Sequence, residues 1–248
     1  MTARLAAVLV APAGAASGAA PLAGNPALLW YLNRASGLVL LVLLTLALLL
    51  GQLATARMPS GLLPRFVTVE LHRNISIAAL ALLVLHVLSS VADGFVDIAA
   101  SDVFVPLRSP YRPVWLGLGT VALDLLAMVA LTTVVRHRIP YRGWRAVHCL
   151  SYAAWLLAGL HGLGTGTDTR SRLTILVTFG CITAVMFGLL VRITGLGSVP
   201  LGARAVLAVL VVAMPLLTSA WLRSGPMQPD WSRRAGTPPP VTSSGGGR

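Results

Sequence analysis

Lysine is absent from this chain of 248 residues, and acidic residues are scarce, with seven aspartates and glutamates against 19 basic residues, all of them arginine. Charged residues make up only 10% of the sequence, hydrophobic residues make up 56%, and the mean hydropathy is +0.82. Such a composition is far from that of a soluble domain and indicates an integral membrane protein surrounded by lipid. The arginines cluster between apolar runs, which is typical of membrane interfaces and not of nucleic-acid binding.

Cysteine is also rare. Cys149 and Cys181 both fall inside apolar runs and form no CxxC pair, which argues against a disulfide, a zinc site or an iron–sulfur cluster. The glycine-rich stretch "HGLGTGTDTR" (residues 161–170) follows no predicted strand and opens no βαβ unit. We therefore expect no intrinsic flavin or NAD(P) site.

Six apolar segments approach the roughly 20 residues that a membrane-spanning helix needs. They run from about Trp30 to Leu53, Asn74 to Ala92, Val114 to Val135, Val147 to Gly166, Leu173 to Val191 and Ala205 to Leu222. Because lipid offers backbone groups no hydrogen-bond partner, each segment is predicted to be helical. The fold class is thus an all-α integral membrane protein with a six-helix bundle over residues 29–222.

The two ends of the chain differ in composition from the six apolar segments. Residues 1–28 are predicted to be a flexible N-terminal segment, and a cleaved signal peptide is the less favoured alternative because the apolar run Leu5 to Val10 is short. Residues 223–248, ending in "GTPPPVTSSGGGR", are predicted to be a disordered C-terminal tail.

Arginine in the short loops sets the expected orientation. The loops after spans one, three and five carry nine arginines, whereas the other side carries six together with four aspartates. Short arginine-rich loops are retained in the cytoplasm. We expect both termini outside and the loop from Arg136 to Arg145 in the cytoplasm.

Four of the five histidines form two pairs with nearly equal spacing. His72 and His86 are 14 residues apart at the second span, and His148 and His161 are 13 apart at the fourth. At 1.5 Å per residue each pair covers about 20 Å of membrane depth. The two spans run in the same direction, so His72 should lie level with His148, and His86 level with His161.

Neutral imidazole is a good axial ligand for haem iron, which needs one ligand on each side of the macrocycle. The pattern therefore predicts two haems stacked between the second and fourth helices, with propionates turned toward Arg73 and Arg145. Helical phase favours this for His72 and His86 but leaves His161 about 140° from His148, which predicts a π-bulge near Gly159. The alternative is four unrelated polar positions in a bundle.

"LHRNISIAALALLVLH" (71–86) and "WRAVHCLSYAAWLLAGLH" (144–161) resemble the ferric reductase-like transmembrane domain. That domain is shared by ferric reductases, NADPH oxidases and the haem-binding subunit of the bacterial methionine sulfoxide reductase system. "WYLNRASGLVLLVLLTLALLLG" (30–51) resembles the first core helix of actinobacterial members. The resemblance covers about Trp30 to Val191 and implies two b-type haems held by His72, His86, His148 and His161. It also implies a bacterial inner (plasma) membrane location. Ferric reductases and NADPH oxidases usually continue into a cytoplasmic flavin and nicotinamide domain, which is not expected here.

The expected function is transmembrane electron transfer, by an oxidoreductase of ferric reductase type or an electron-transfer subunit. Electrons would come from a cytoplasmic flavoprotein or membrane quinol and pass to ferric iron, oxygen or an extracytoplasmic redox partner. One alternative is a haem-bearing membrane anchor of a redox complex. Another is a small proton-coupled transporter that uses the histidines and Asp124, an ionisable residue well inside the third span. Asp124 could equally pair with Arg34 or a buried hydroxyl.

Overall fold

The computed structural model describes residues 26–55, 64–92, 98–194 and 199–238. Those residues form six long helices: α1 (Pro26–Thr55), α2 (Arg65–Ala92), α3 (Pro113–Val134), α4 (Tyr141–Thr165), α5 (Arg172–Thr194) and α6 (Leu201–Ser224). All six are long and apolar enough to cross a membrane, which confirms the predicted six-helix, multi-pass membrane protein. The described part of the chain contains no β-strand. The predictions for residues 1–25 and 239–248 lie outside the described residues.

Each helix begins one to nine residues before the apolar segment that predicted it. The largest difference is in α2, which begins at Arg65 and not near Asn74. His72 and Arg73, which precede the second span as predicted, therefore lie about two turns inside the helix. The reason is that an apolar run marks only the part of a helix that lies in hydrocarbon, whereas the helix itself continues into the polar interface.

Helix α1 is the centre of the bundle, where it contacts α2, α4 and α5. Helix α3 packs along α4, and α6 packs along α5. In the described ranges, α2 and α4 are not among the helix pairs in extensive contact. The two helices that carry the histidine pairs are therefore held by neighbours and leave space between them.

A buried hydrogen bond joins α4 to α1 in the core. Trp155 of α4 is 3% exposed, and its indole Nε1–H donates to Oγ1 of Thr45 at 2.9 Å. Because an unpaired indole N–H would be costly to bury, this bond accounts for the large polar-tipped side chain in an apolar core. Around it lie the core side chains Leu40, Leu44, Leu48, Leu126, Ile182, Val185 and Met186.

The chain after α6 is ordered over most of its described length. Residues 225–230 turn back, a short helix α7 (Trp231–Arg234) follows, and Trp231 packs on Trp115 and Trp221. The prediction of a disordered tail from residue 223 is thus wrong for residues 223–238. Proline, glycine and serine dominate the tail as a whole, but its tryptophan provides enough apolar area to fix this part against the bundle.

Candidate functional site

The first histidine pair joins α2 to α4. The ring centroids of His72 and His148 lie 6.1 Å apart, and the rings are inclined at 71°. This is the pair that the sequence predicted at one depth. We call it the inner pair, because it lies toward the end of the bundle that carries the arginine-rich loop 136–145.

The two inner histidines differ in their hydrogen bonds. Nδ1 of His72 lies 2.8 Å from the main-chain carbonyl oxygen of Ala47. A carbonyl can only accept, so this bond places the proton on Nδ1 and leaves Nε2 with its lone pair. Nδ1 of His148 is buried without a hydrogen-bond partner among the described residues, and its ring is stacked on Trp144 with centroids 4.9 Å apart.

The second pair, which we call the outer pair, lines a single cavity. His86 of α2 and His161 of α4 both contribute to its wall, and its volume is about 550 Å³. The rest of the wall is largely apolar and comes from α1, α2, α3, α4, α5 and the segments that follow α2 and α4. A cavity of this size and lining lies within the range of cofactor and ligand sites.

Both outer histidines are anchored through Nδ1 to a neighbouring helix. Nδ1 of His86 lies 3.2 Å from the carbonyl oxygen of Asn33 and 3.1 Å from Oγ of Ser36, both on α1. Nδ1 of His161 lies 2.9 Å from the carbonyl oxygen of Trp115 on α3. The carbonyl contacts favour a proton on Nδ1, so Nε2 of each ring is left as a possible metal-binding atom.

Three glycines make room for three of the rings. A Cβ at Gly37 would lie 3.0 Å from His86, one at Gly51 would lie 3.4 Å from His72, and one at Gly119 would lie 2.5 Å from His161. Sequence reasoning missed these glycines, although a signal was present. Gly37 and Gly51 are 14 residues apart on α1, the same separation as the histidines they contact on the antiparallel α2.

Helix α4 contains no π-bulge. It is α-helical from Tyr141 through Thr165, so the predicted distortion near Gly159 is wrong. The angle of about 140° between His148 and His161 on a regular helix needs no distortion, because the two rings contact different neighbouring helices. His161 is anchored to α3 through Trp115, whereas His148 lies beside His72 of α2, so the two histidines of α4 use different faces of one regular helix.

Polar groups gather at one end of the outer cavity, and sequence reasoning did not assign them to the site. The wall includes Asn33, Arg34, Asp102, Tyr111 and Asp168. The guanidinium of Arg34 lies over the ring of Trp30, 5.6 Å from its centroid. Asn33 and Arg34 lie about two turns inside α1, and the other three belong to connecting segments, where single polar residues form no recognisable sequence pattern.

The two arginines predicted to face propionates lie near the inner end but point to the surface. Arg73 forms an ion pair with Glu70 one turn earlier, and both side chains are more than half exposed. Arg145 is exposed. The structure places both on the helices that carry the inner pair, and it does not bring either guanidinium to the histidine rings.

Asp124 is not part of either pair. It is exposed on the outside of α3, is absent from the cavity wall, and forms no hydrogen bond or ion pair with any described residue. The alternative of a pairing with Arg34 or a buried hydroxyl is therefore not observed. An ionisable group that faces lipid is costly, but its position separates it from the histidines.

The chain was compared with family models, with curated proteins and with solved structures. No match was found among curated proteins or among solved structures. One family model matches residues 28–168, a range that contains all four paired histidines and the three glycines beside them. Since the match covers more than half of the chain, the protein belongs to the family described as a domain of unknown function, DUF8596.

Proposed function

We propose that this protein transfers electrons across a membrane through two b-type haems, each held by one histidine of α2 and one of α4. His72 with His148 would ligate the inner haem, and His86 with His161 the outer haem. The observation that carries the proposal is that His72 lies beside His148, while His86 and His161 line one cavity, so that histidines of two separated helices meet at two levels of the bundle. Unrelated packing positions give no reason for such a match.

His72 and His148 would hold the inner haem. Their ring centroids are 6.1 Å apart, a separation that leaves room for one metal ion bound by a nitrogen of each ring at about 2 Å. The stacking of Trp144 on the His148 ring holds that ring even though its Nδ1 has no hydrogen-bond partner in the described chain.

The outer pair fits a larger apolar group. The cavity of about 550 Å³ is lined by both histidines and mostly by apolar side chains, and the glycines beside His86 and His161 keep the rings close to α1 and α3. At the polar end Arg34 offers a guanidinium to an anionic substituent such as a propionate. For the inner haem, Arg145 is exposed nearby, and Arg73 would have to exchange its contact with Glu70.

Bound haem would supply reversible one-electron chemistry. The protein's part is to set the distance and the surroundings. Residues 13 or 14 apart on a helix separate the two levels by about 20 Å, which spans most of the hydrocarbon. Carbonyl bonds to Nδ1 would hold the rings of His72, His86 and His161 in one tautomer and orientation. The wall around the outer pair is largely apolar.

The donor would reach the inner end. Tyr141 and Trp144 have ring centroids 6.0 Å apart, and Trp144 stacks on His148, so an aromatic row leads from the exposed Tyr141 to an inner ligand. The exposed arginines beside it are Arg136, Arg138, Arg142 and Arg145. This surface suits an acidic flavoprotein, and a membrane quinol is the other donor that we consider. The acceptor would be ferric iron, oxygen or a redox partner on the outer side.

The proton-coupled transporter is the weaker hypothesis, because its relay would need Asp124 near the histidines and Asp124 lies outside the cavity wall. The anchor hypothesis shares the same haems and differs only in having no acceptor of its own. Reduction of a soluble acceptor by the purified protein separates an oxidoreductase from an anchor.

The test of the proposal is a haem measurement. Protein expressed with ample haem should contain about two haems b per chain, by pyridine haemochrome assay and dithionite-reduced minus oxidised spectra. The double variant His72→Ala/His86→Ala removes one ligand from each pair and should lose most of the haem. His137→Ala, at an exposed histidine outside the spans, is the matched control and should keep it. A folded wild-type protein without haem would refute the proposal.

A further inference from the structure

Residues 225–237 fold back onto the outer ends of α3 and α4. Trp231 of α7 joins Trp115 of α3 and Trp221 of α6 in a cluster whose ring centroids lie 5.1 to 6.1 Å apart. We call residues 225–237, which follow α6, the C-terminal strap. Its contacts with the bundle concentrate around one histidine.

Gly164, three residues after His161, is the point where the strap meets α4. Its carbonyl oxygen accepts hydrogen bonds from Nη1 of Arg112 at 2.8 Å and from Nε1 of Trp231 at 3.2 Å. Carbonyl groups in the last turn of a helix have no partner within the helix. Here the last turn of α4 obtains two donors at once, one of them from the strap.

Arg112 fastens the strap to the start of α3. It is 4% exposed. Its Nε donates to Oγ1 of Thr237 at 2.8 Å, and its main-chain N–H donates to the carbonyl oxygen of Gly236 at 3.0 Å. The backbone of Arg112 has φ of 43°, a left-handed conformation that is costly for a residue other than glycine and persists where surrounding contacts enforce it. The strap supplies two of those contacts.

Trp115 links the strap to the His161 ring. Its carbonyl oxygen is the partner of His161 Nδ1 at 2.9 Å. Its indole lies in the tryptophan cluster and so close to Gly164 that a Cβ on that glycine would overlap it. The strap thus holds both the backbone just after His161 and the residue that accepts the bond from its ring.

We propose that the C-terminal strap, through Trp231, is a positioning element for His161, the outer ligand on α4. This inference rests on the proposed haem ligation. An Nδ1–H bond to a carbonyl raises the basicity of the ligating imidazole, and a more basic ligand stabilises ferric iron. Loosening the strap should weaken that bond, and the midpoint potential of the outer haem should rise while that of the inner haem stays constant.

The experiment compares three variants of the full-length protein. Trp231→Ala removes both the ring from the cluster and the donor to Gly164. Trp231→Phe keeps an aromatic ring in the cluster, although a smaller one, and removes the donor. Ser232→Ala, at an exposed neighbour on the same short helix, is the matched control. The readouts are haem content, potentiometric titration and the low-spin signals in electron paramagnetic resonance spectra.

We expect Trp231→Ala to raise one of two midpoint potentials and to alter one of two low-spin signals. Trp231→Phe should cause a smaller change in the same haem, and Ser232→Ala none. If the wild type holds two haems and Trp231→Phe and Trp231→Ala both match Ser232→Ala, this inference is wrong and the proposed function stands. If the wild type holds no haem, the proposed function fails and the inference falls with it.

Discussion

Gly119 of α3 lies directly against the ring of His161 on α4, so that a Cβ on Gly119 would come within 2.5 Å of Nδ1. The other two glycines of the site leave more room. A Cβ on Gly37 would lie 3.0 Å from the ring of His86, and one on Gly51 would lie 3.4 Å from the ring of His72. A methyl group should therefore disturb the site most at Gly119, less at Gly37 and least at Gly51.

Gly119→Ala should cost the protein its outer haem. The added methyl cannot be accommodated unless the His161 ring or the α3 backbone shifts, and a shifted ring loses its bond to Trp115. Haem content should fall by about half, measured by pyridine haemochrome assay. Gly180→Ala on α5, where nothing lies within 4 Å and which is not part of the cavity wall, should retain full content. Gly51→Ala, at an ordinary van der Waals distance, should also retain it. Equal haem content in Gly119→Ala and Gly180→Ala would contradict this account.

Single histidine variants should separate the two haems. His86→Ala removes an outer ligand and should leave much of the inner haem, whereas His148→Ala removes an inner ligand and should leave much of the outer one. Because the inner and outer surroundings differ in hydrogen bonding, the two remaining haems should differ in midpoint potential. The sum of the potentiometric titration curves of the two variants should reproduce the curve of the wild type. Loss of both haems in each variant, with the protein still folded, would overturn the pairing.

Patterns with a simple physical cause were predictable from the sequence. The number of spans follows from runs of apolar residues, and the pairing of His72 with His148 follows from equal spacing on two parallel helices. Both depend on one helical period or one bilayer thickness. The positions of Asp102, Tyr111 and Asp168 in the cavity wall depend on where connecting segments cross the bundle end, and no local pattern encodes that.

Two errors have the same origin. The π-bulge in α4 was predicted because both histidines were assumed to face α2, but His161 is anchored to Trp115 of α3. The tail was predicted to be disordered from its composition, although Trp231 finds a ready surface in Trp115 and Trp221. In each case a contact with a third element, distant in sequence, decided the outcome.

The orientation of the bundle can be tested by cysteine labelling. We expect the loop that contains Arg142 to face the cytoplasm, because short arginine-rich loops are retained there. Ser171 and Arg142 are both exposed and lie at opposite ends of the bundle. In a background with Cys149→Ala and Cys181→Ala, an impermeant reagent should label Ser171→Cys in intact cells and label Arg142→Cys only after permeabilisation. The reverse pattern would invert the direction proposed for electron flow.

NADPH alone should not reduce the haems of the purified chain. Dinucleotide binding normally needs a glycine-rich turn between a strand and a helix, with the pyrophosphate at the helix N-terminus. The described residues contain no β-strand, and the arginines at the inner end offer phosphate only a salt-sensitive attraction. Protein in detergent should therefore stay oxidised with NADPH, and it should become reduced when a flavin reductase or a quinol is added. Reduction by the flavin reductase should slow as salt rises and slow further in Arg142→Ala, whereas reduction by quinol should respond to neither. Rapid reduction by NADPH, in a preparation free of flavin and of any second protein, would refute the need for a separate donor.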